Sequence, residues 1–486
     1  MANFLITTAN TLQEGTSTSD TFYFNTARGI SIRGADGADT LTAGTANITA
    51  VNALLAGNAG NDTINLLSSF NANQASIYGG AGNDLISASE YSAVDTTMQG
   101  GGGNDTIGLN SADIDRGNLG LNAGDDLLSS NTTAILNSAV VAFGAGADTM
   151  TAAYVSAVGS TLNGGGGADT INIDGGAFVG GQVNGDQLGD NTFFGADLIT
   201  ISAKALDSAT TINGGYGNDT ISASFTAANK GTFATGFING NVGNDDLDII
   251  GIGSGGAFVA GSAFVGGGAG ADTITVSVES GAASWGTLMG GGGNDTIVYS
   301  AAAVANAFAS AGTTGGFIQG GEGADSISFN GNTTGAISQL LYTDATESNV
   351  SNIDTVSSTV TDSGSTDMQV YNVINVNTPL SRESAAGTIG GNEVYTSTNG
   401  IVTFTGSFSD NVTDMVSALD ANTVDGTIAV FSKGTMATQY LFMQGGAAGT
   451  ADDLVVKVNM SDTTLSGSNI VSNVDLVGNS AISLDI

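Results

Sequence analysis

The 486-residue sequence contains no cysteine and no histidine. Their absence excludes a histidine-dependent catalytic triad, a histidine-ligated zinc protease, a cysteine nucleophile, a disulfide framework and a thiolate metal site. Basic side chains are also scarce, with 8 Lys and Arg against 45 Asp and Glu and a formal net charge of −37. So few cations cannot neutralise a row of phosphates, and we therefore expect no nucleic-acid partner.

Long apolar runs are missing too. No stretch of about 18 consecutive apolar residues occurs, so we expect no helix that spans a membrane. No basic residue precedes Arg28, and we therefore expect no Sec-type signal peptide. Collagen is excluded although the chain has 75 glycines, because one proline and no three-residue glycine period accompany them. Carboxylates far outnumber basic side chains in a chain that is 41% hydrophobic, which indicates that bound cations compact it.

A repeated turn sequence is the strongest feature that is present. Ten segments fit the pattern Gly-x-x-Gly-x-Asp, and three weaker segments without its first glycine end at Asp126, Asp148 and Asp197. A degenerate further copy ends at Asp20. Successive aspartates of the thirteen segments lie 21 to 30 residues apart. The complete segments end at Asp39, Asp62, Asp84, Asp105, Asp169, Asp219, Asp245, Asp272, Asp295 and Asp325.

Apolar residues flank each turn at fixed positions. In the segment that ends at Asp84, Ile77 precedes the first glycine by two positions and Ile86 follows the aspartate by two. Each unit therefore reads as a strand, a tight glycine turn and a second strand, after which the chain returns along the other side. A unit of about 22 residues buries its apolar face only by stacking on its neighbours, which predicts an all-β solenoid.

Stacking would bring one aspartate per unit into a single row. Successive strands lie about 4.8 Å apart, and carboxylates at that spacing repel one another unless a cation neutralises them. Carboxylate and carbonyl oxygens are the donors in these turns, and they suit a hard cation such as Ca²⁺ rather than Zn²⁺ or Cu²⁺. Metal-free turns that simply close a solenoid are the alternative that spacing alone leaves open.

These segments resemble the calcium-binding nonapeptide of RTX, or haemolysin-type, proteins, Gly-Gly-x-Gly-x-Asp-x-U-x, in which U is an apolar residue. The resemblance implies a right-handed parallel β-roll or β-helix whose turns bind Ca²⁺ through the aspartate and through backbone carbonyls. One nonapeptide occurs per coil instead of the family's two. We therefore expect one main calcium column with roughly 8 to 13 ions, and an opposite edge made of variable loops.

The resemblance also implies a set of metal ligands. The insertion before Asp197 carries Asp186 and Asp190, which predicts an altered site there. The predicted ligands are Gly34, Asp36, Asp39, Gly57, Asp62, Gly79, Ala81, Asp84, Gly100, Gly102, Asp105, Asp126, Asp148, Gly164, Gly166, Asp169, Asp197, Gly214, Tyr216, Asp219, Gly240, Val242, Asp245, Gly267, Ala269, Asp272, Gly290, Gly292, Asp295, Gly320, Glu322 and Asp325.

The sequence after residue 329 lacks the repeat, and we predict a solenoid over 1–329 and a β-rich domain over 330–486. A short helix is predicted over Asp410 to Ala421, capped by Ser409 or Asp410. A hairpin is predicted from Thr427–Phe431 and Gln439–Met443. This region resembles C-terminal domains of RTX proteins exported by type I secretion, including some bacterial surface-layer proteins. The resemblance implies a secretion signal, and a surface for assembly.

Three classes of function are compatible with these features to different degrees. A calcium-dependent structural protein that assembles into a surface layer or extracellular sheet is favoured, because the repeat fills two thirds of the chain. A secreted adhesin or biofilm matrix protein that forms no lattice is the alternative, with aromatics such as Phe178 as possible contacts, although a role in the core is favoured for them. An enzyme is not expected, since the scattered glutamates single out no catalytic pair.

The expected location and partners follow from the structural interpretation. The protein is expected outside the cell, on its surface, with other copies of itself as the main partner. Lipopolysaccharide or a cell-surface glycan is a possible anchor, and the type I secretion machinery would export the chain.

Overall fold

The structure is a computed structural model of the chain. It describes residues 2–25, 28–44, 48–66, 70–89, 92–130, 132, 134–153, 155–174, 177–186, 194–202, 205–206, 210–225, 236–251, 263–278, 286–302, 317–332, 338–343, 347–358, 367–372, 380–433, 438–445, 449–460, 473–477 and 481–485. Among these residues, no helix is long and apolar enough to cross a membrane. Two compact units are present, the first formed by residues 1–232 and 236–242 and the second by 233–235 and 243–486.

The first unit is a parallel β-solenoid in which each coil contributes one strand before the glycine turn and one after it. The strands before the turns are Leu12–Glu14, Ser31–Asp36, Leu54–Ala59, Ser76–Ala81, Thr97–Gly102, Asn118–Ala123, Val140–Ala145, Thr161–Gly166, Gln182–Asp186, Thr211–Tyr216 and Phe237–Val242. The strands after the turns are Thr21–Phe24, Thr40–Ala43, Thr63–Leu66, Leu85–Ser89, Thr106–Asn110, Leu127–Ser130, Thr149–Ala153, Thr170–Asp174, Leu198–Ser202 and Thr220–Phe225. Asn3–Ile6, ahead of the first turn, pairs in parallel with the first of them.

Every strand pairs in parallel with the equivalent strand of the next coil, so equivalent residues stack. Ile77, for example, lies opposite Leu55 on one side and Met98 on the other. Ile77 and Ile86 are buried, as the flanking pattern predicts, and the same is true of their equivalents in neighbouring coils. Alternate residues of each strand therefore face a continuous apolar interior. The prediction of an all-β parallel solenoid is confirmed.

A third sheet closes the side of the first unit where variable loops were expected, and that expectation is wrong here. Its strands are Ile48–Val51, Phe70–Asn73, Ser92–Val94, Asp113–Asp115, Ala134–Asn137, Val155–Val158, Ala177–Val179 and Ala205–Leu206. They are short because a coil of about 22 residues leaves few residues for its third side. Their inward positions, such as Ile114 and Leu136, are buried, so this side also contributes to the core.

The second unit begins with coils of the same kind. The strands before its turns are Phe264–Ala269, Thr287–Gly292, Ile318–Glu322 and Ser338–Tyr342, and Asp367–Asn372 pairs in parallel with the last of them. The strands after its turns are Asp246–Gly251, Thr273–Val278, Thr296–Ala302, Ser326–Asn332 and Asp354–Ser358. The predicted domain limits, 1–329 and 330–486, stay predictions, and the coil of Asp354 lies inside the second of these ranges.

The C-terminal region extends both sheets of the second unit. Leu454–Met460 pairs in parallel with Asp354–Ser358, and Ala481–Asp485 pairs in antiparallel fashion with Asp367–Asn372. The other strands here are Ser381–Arg382, Gly387–Ile389, Asn392–Thr398, Ile401–Phe404, Thr427–Ser432, Gln439–Met443 and Asn473–Val477. The predicted hairpin is confirmed, since Thr427–Ser432 and Gln439–Met443 pair in antiparallel fashion.

One α-helix, Val412–Asp420, follows a 3₁₀ turn at Gly406–Ser409 and packs on this region. Its buried face includes Met415, Val416 and Leu419, as predicted, and contacts a core that contains Phe431 and Phe442. The predicted caps are wrong. Asn411 begins the helix instead, because its side-chain oxygen accepts a hydrogen bond from the N–H of Thr413 at 3.0 Å.

Candidate metal centre

The glycine turns stack on one another through their backbones. We number the turn positions 1 to 6, from the first glycine to the aspartate. Position 4 takes a positive φ, 127° at Gly60, and a Cβ there would overlap the carbonyl oxygen of Gly37 in the preceding coil. The N–H of Gly60 in turn donates to the carbonyl of Ala81, position 3 of the following coil, at 2.7 Å. Only glycine adopts this φ readily and has no Cβ to overlap the carbonyl of the preceding coil, which explains its recurrence at position 4.

The position-3 carbonyls predicted as metal ligands therefore already have a structural role. All but that of Asp36 accept a hydrogen bond from the glycine N–H at position 4 of the preceding coil, at distances of 2.7 to 3.2 Å. A carbonyl oxygen has a second lone pair, so these atoms keep the capacity to bind a cation, and their role as ligands stays a prediction. The carbonyls held in this way are those of Ala81, Gly102, Gly166, Tyr216, Val242, Ala269, Gly292 and Glu322.

The aspartates at position 6 form one column in each unit. Within a column, the N–H of an aspartate donates to Oδ1 of the aspartate in the following coil, as Asp62 does to Asp84 at 2.7 Å. The first aspartate column contains Asp20, Asp39, Asp62, Asp84, Asp105, Asp126, Asp148, Asp169, Asp197 and Asp219. The second aspartate column contains Asp245, Asp272, Asp295, Asp325 and Asp354.

The second carboxylate oxygen, Oδ2, has no hydrogen-bond partner in most of these aspartates, within the part of the chain that the structure describes. The side chains are at most 3% exposed, so water cannot replace the missing partner freely. Such buried and unsatisfied oxygens mark a place where a proton or a cation is required. They belong to Asp39, Asp62, Asp84, Asp105, Asp126, Asp148, Asp169, Asp197, Asp272, Asp295, Asp325 and Asp354.

The glycine at position 1 leaves the space into which Oδ2 points. A Cβ on Gly57 would overlap both Oδ2 of Asp62 and the carbonyl oxygen of Gly79, which is position 1 of the following coil. A carboxylate oxygen and a carbonyl oxygen thus meet at one glycine α-carbon, and this pair of oxygens is a fitting start for a calcium site. The same arrangement occurs at Gly34, Gly79, Gly164, Gly185, Gly214 and Gly290.

Two coils of the first unit lack this space. Their position-1 residues are Leu121, in the coil of Asp126, and Phe143, in the coil of Asp148, and both side chains are buried. Their aspartates keep the ladder hydrogen bonds, at 2.7 and 2.8 Å. An apolar side chain therefore fills the place beside Oδ2 that glycine leaves open elsewhere. The prediction that Asp126 and Asp148 are metal ligands stays a prediction.

Burial raises the pKa of most column aspartates, because the charged form loses its hydration. Neighbouring carboxylates add to the shift, and the N–H donated to Oδ1 opposes it. The pKa reaches about 6 for Asp62, Asp148, Asp219 and Asp325, about 7 for Asp84, Asp126, Asp169 and Asp295, and about 8 for Asp197 and Asp354. Near neutral pH, many of these carboxyls would hold a proton unless a cation replaces it.

Asp20, at the start of the first aspartate column, and Asp354, at the end of the second, make hydrogen bonds outside the ladder. Both oxygens of Asp20 accept hydrogen bonds, from the N–H of Ala2 at 2.6 Å and from the N–H and hydroxyl of Thr16 at 2.6 and 2.8 Å. Bonding from Thr16 accordingly lowers the pKa of Asp20. At Asp354, the hydroxyl of Ser348 accepts the N–H at 3.0 Å and so ends the ladder. Sequence reasoning missed Asp354, although Asp354-Thr-Val356 repeats the end of the motif without its glycines.

The insertion before Asp197 preserves a complete turn that the sequence pattern hid. Gly185 serves as position 1, since a Cβ on it would overlap Oδ2 of Asp197 and the carbonyl oxygen of Gly214. Gly195 serves as position 4, with its N–H donating to the carbonyl of Tyr216 at 3.2 Å. Asp186, from the same insertion, is buried beside this turn, and Asp190 lies outside the described residues.

An outer ladder accompanies the aspartate columns and runs in the opposite sense. The side-chain oxygen of Asn61 at position 5 accepts the N–H of Asn83 in the following coil at 2.9 Å, and Asn83 does the same for Asn104. These side chains are exposed. A turn with asparagine at position 5 is thus held to the following turn from outside by that side chain, in addition to the aspartate inside.

The ion pairs given for the described ranges lie on the surface. They join Arg33 to Glu14 and Arg116 to Asp95 and Asp115. No group of three Asp or Glu side chains there is arranged to hold a metal ion. A cation site in a column would therefore combine one or two aspartates with backbone carbonyls, as the donor set of Ca²⁺ allows.

Comparisons with known proteins assign no family. A scan against protein-family models finds no match for the chain, and a search of curated proteins finds none either. Among solved structures, the chain is similar to a hyperactive, Ca²⁺-dependent, β-helical antifreeze protein from an Antarctic bacterium. The match covers 75% of this chain and 85% of that chain, at 15% sequence identity and a TM-score of 0.38. This likeness does not bear on the function of the chain, and membership of the RTX family stays a prediction.

Proposed function

We propose that this protein is a secreted, calcium-dependent structural protein that assembles with copies of itself into a bacterial surface layer or extracellular sheet. The observation that carries the calcium part is the pair of aspartate columns, in which the buried Oδ2 of most aspartates has no hydrogen-bond partner in the described coils. Each column repeats a buried carboxylate in successive coils. Repulsion along such a row opposes folding until a cation or a proton neutralises it.

The residues favour a hard divalent cation over a transition metal. The oxygens that converge are Oδ2 of the aspartate and the carbonyl at position 1 of the following coil, as at Asp62 and Gly79. A bound Ca²⁺ would neutralise these carboxylates and tie successive coils together. The protein's contribution is the shape, because the ladder hydrogen bond fixes Oδ1 and the missing Cβ of position 1 keeps Oδ2 accessible from the next coil.

The proposals of secretion and of assembly rest on the sequence. An acidic, glycine-rich chain would stay unfolded where calcium is scarce, pass through the type I secretion machinery and fold outside the cell. Acids outside the columns, such as the exposed Asp113, could share cations with neighbouring copies, which gives an acidic protein a way to self-associate. A lipopolysaccharide or cell-surface glycan anchor and the absence of an enzymatic activity belong to the same proposal.

A calcium titration of chelator-treated protein tests this function. Far-UV circular dichroism reports folding and light scattering reports assembly, with Mg²⁺ in a parallel titration as the control for general screening. We expect β structure and thermal stability to increase at lower Ca²⁺ than Mg²⁺, followed by increasing scattering. Folding without growth in scattering would support a soluble adhesin or matrix protein instead of a lattice. Equal β structure and equal melting temperatures in chelator and in calcium would contradict the calcium columns.

The order of events on chelation tests the assembly separately. Calcium between copies lies at exposed carboxylates, whereas calcium in the columns lies in the buried interior, so a chelator should reach the exposed sites first. We expect scattering to fall before the circular dichroism signal of the coils is lost. Simultaneous loss of both signals, with no soluble folded intermediate, would contradict the proposed role of calcium between subunits.

A further inference from the structure

Asp186 puts an additional carboxylate where neighbouring coils have glycine. It lies opposite Gly165 in the parallel register, at position 2 of the turn that ends at Asp197. In the following coil, Gly215 occupies the equivalent place, and a Cβ on it would overlap the Asp186 side chain. Asp186 is 1% exposed, so the charge of this side chain lies inside the solenoid.

One oxygen of Asp186 is held by the backbone and the other is not. Oδ2 accepts the N–H of Tyr216 at 2.7 Å. Oδ1 is buried and has no hydrogen-bond partner of good geometry among the described residues, although the N–H of Gly195 is close enough to the carboxyl to lower its pKa. The insertion thus fixes the orientation of the carboxylate through Tyr216 and leaves one buried acceptor unsatisfied. Such an atom costs free energy unless a ligand binds it, since no water can solvate it freely.

A second unsatisfied carboxylate oxygen belongs to the same turn. Oδ2 of Asp197 meets the α-carbon of Gly185 and the carbonyl oxygen of Gly214, the residues that directly precede Asp186 and Gly215 in the two coils. The charge of Asp186 is close enough to raise the pKa of Asp169, Asp197 and Asp219. No ion pair of the described chain involves Asp186 or Asp197.

We propose that Asp186, Asp197 and the carbonyl of Gly214 form a two-carboxylate calcium site that binds more tightly than the single-carboxylate sites of the ordinary coils. The affinity of calcium sites rises with the number of charged ligands, and both carboxylates here are fixed before binding. The proposal rests on the proposed calcium-binding function and adds one distinct site to it. The insertion that interrupts the repeat then provides the calcium site of highest affinity.

Calcium binding to the full chain and to three variants tests this proposal, with a chromophoric chelator as the competitor. Asp186→Asn removes the charge at constant shape, and Asp186→Gly restores the residue found at this position in both register neighbours. Asp174→Asn is the control, because Asp174 is an exposed carboxylate of the same unit. We expect one ion of the wild type and of the control to bind about tenfold or more tightly than the others. Both Asp186 variants should lose that tight ion and keep the rest.

The outcomes separate this proposal from the one on which it rests. If Asp186→Gly keeps the tight ion, or if the wild type shows one uniform class of ions, the two-carboxylate site is wrong while the calcium columns stand. If the wild type binds no calcium, both are wrong. Circular dichroism of each variant with calcium monitors folding, and Asp186→Gly provides the test even if Asp186→Asn does not fold.

Discussion

The first unit contains two kinds of coil, which differ mainly at one turn position. In the coils of Asp62 and Asp84, position 1 is glycine, and Oδ2 points into the space that a side chain would take. In the coils of Asp126 and Asp148, Leu121 and Phe143 fill that position. All four aspartates make the same ladder hydrogen bond to the preceding coil. The aspartate ladder therefore forms whether or not a coil has a cation site. The space beside Oδ2, in contrast, is present only where position 1 is glycine.

This difference separates the two roles of the repeat. Stacking depends on the backbone, on the position-4 glycine and on Oδ1, and it persists in every described coil of the first unit that carries a turn. Neutralisation depends on Oδ2 and position 1. An aspartate beside Leu121 or Phe143 can be neutral by holding a proton, and burial raises the pKa of Asp126 to about 7 and of Asp148 to about 6. An aspartate beside glycine can exchange the proton for a cation.

The largest expected effect is that of pH on the calcium-free protein. A carboxyl whose pKa is raised by folding stabilises the fold when protonated, so its contribution is complete below the unfolded pKa of about 4 and is lost as the pH rises through the folded value. With folded values from about 6 for Asp62 to about 8 for Asp197, chelated protein should lose stability between pH 4 and about 8. We expect the melting temperature to fall by at least about 5 °C from pH 5 to pH 8.

Calcium should reverse this dependence in the glycine coils, because the cation displaces protons and binds better at higher pH. Thermal melts at both pH values, with chelator and with calcium, measure the effect. An indicator dye in weakly buffered solution at pH 6.5 should also report proton release on calcium addition. Equal melting temperatures of the chelated protein at pH 5 and pH 8 would contradict the burial of protonated carboxyls.

Filling one glycine space should have the next largest effect. In Gly79→Ala, the new methyl group would overlap Oδ2 of Asp84 and the carbonyl oxygen of Gly100. We expect the calcium-loaded protein to lose about 2–4 kcal/mol of unfolding free energy and one bound ion. Gly102→Ala is the matched control, since nothing lies within 4 Å of a Cβ at that position, and it should change stability by less than about 0.5 kcal/mol. Similar losses in both variants would show that the space beside Oδ2 is not special.

Neutralising one aspartate in each kind of coil compares the coils directly. Asp84→Asn removes the charge from a glycine coil, and we expect it to cost about 2 kcal/mol in calcium and to remove one ion. Asp126→Asn removes it from the coil of Leu121, where no cation is expected beside Oδ2, and the ion count should not change. Calcium stoichiometry and urea unfolding of the two variants measure the difference. Loss of an ion from Asp126→Asn would contradict the proposed difference between the two kinds of coil.

The smallest effect is expected at the outer ladder. Asn83→Ala deletes the acceptor for the N–H of Asn104, on an exposed edge where water can replace it. We expect a loss of about 0.5–1.5 kcal/mol at any calcium concentration, with no change in the number of ions. Urea unfolding with and without calcium tests this. A calcium-dependent effect would mean that the outer ladder takes part in cation binding.

The regular coils could be predicted from the sequence because their fold is local and repeated. The turn glycines, Ile77 and Ile86 specify two strands and a turn, and the repetition itself implies stacking. The third sheet was missed because its three-residue strands, such as Ser92–Val94, carry no period that distinguishes them from loops. The cap of the helix was missed by one residue, since Ser409, Asp410 and Asn411 are all good caps.

The candidate site could be predicted only in part, because its atoms come from different coils. The aspartates could be recognised in the sequence pattern. Which oxygen accepts the ladder hydrogen bond and which faces the candidate cation site depends on how one coil lies on the next. Gly185 was hidden because the insertion separates it from Asp197 in the sequence. Asp354 was hidden because its coil keeps the aspartate without the glycines. Stacking creates these neighbours, and a linear motif does not contain them.

The central claim is that cations occupy the aspartate columns at the glycine coils. Anomalous X-ray diffraction from crystals grown in calcium tests it most directly, since calcium scatters anomalously at long wavelength and water does not. The account predicts peaks beside Oδ2 and the position-1 carbonyl of the following coil, as at Asp62 and Gly79, and none beside Leu121 or Phe143. A calcium-grown crystal with well-ordered columns and no anomalous peak along them would contradict it.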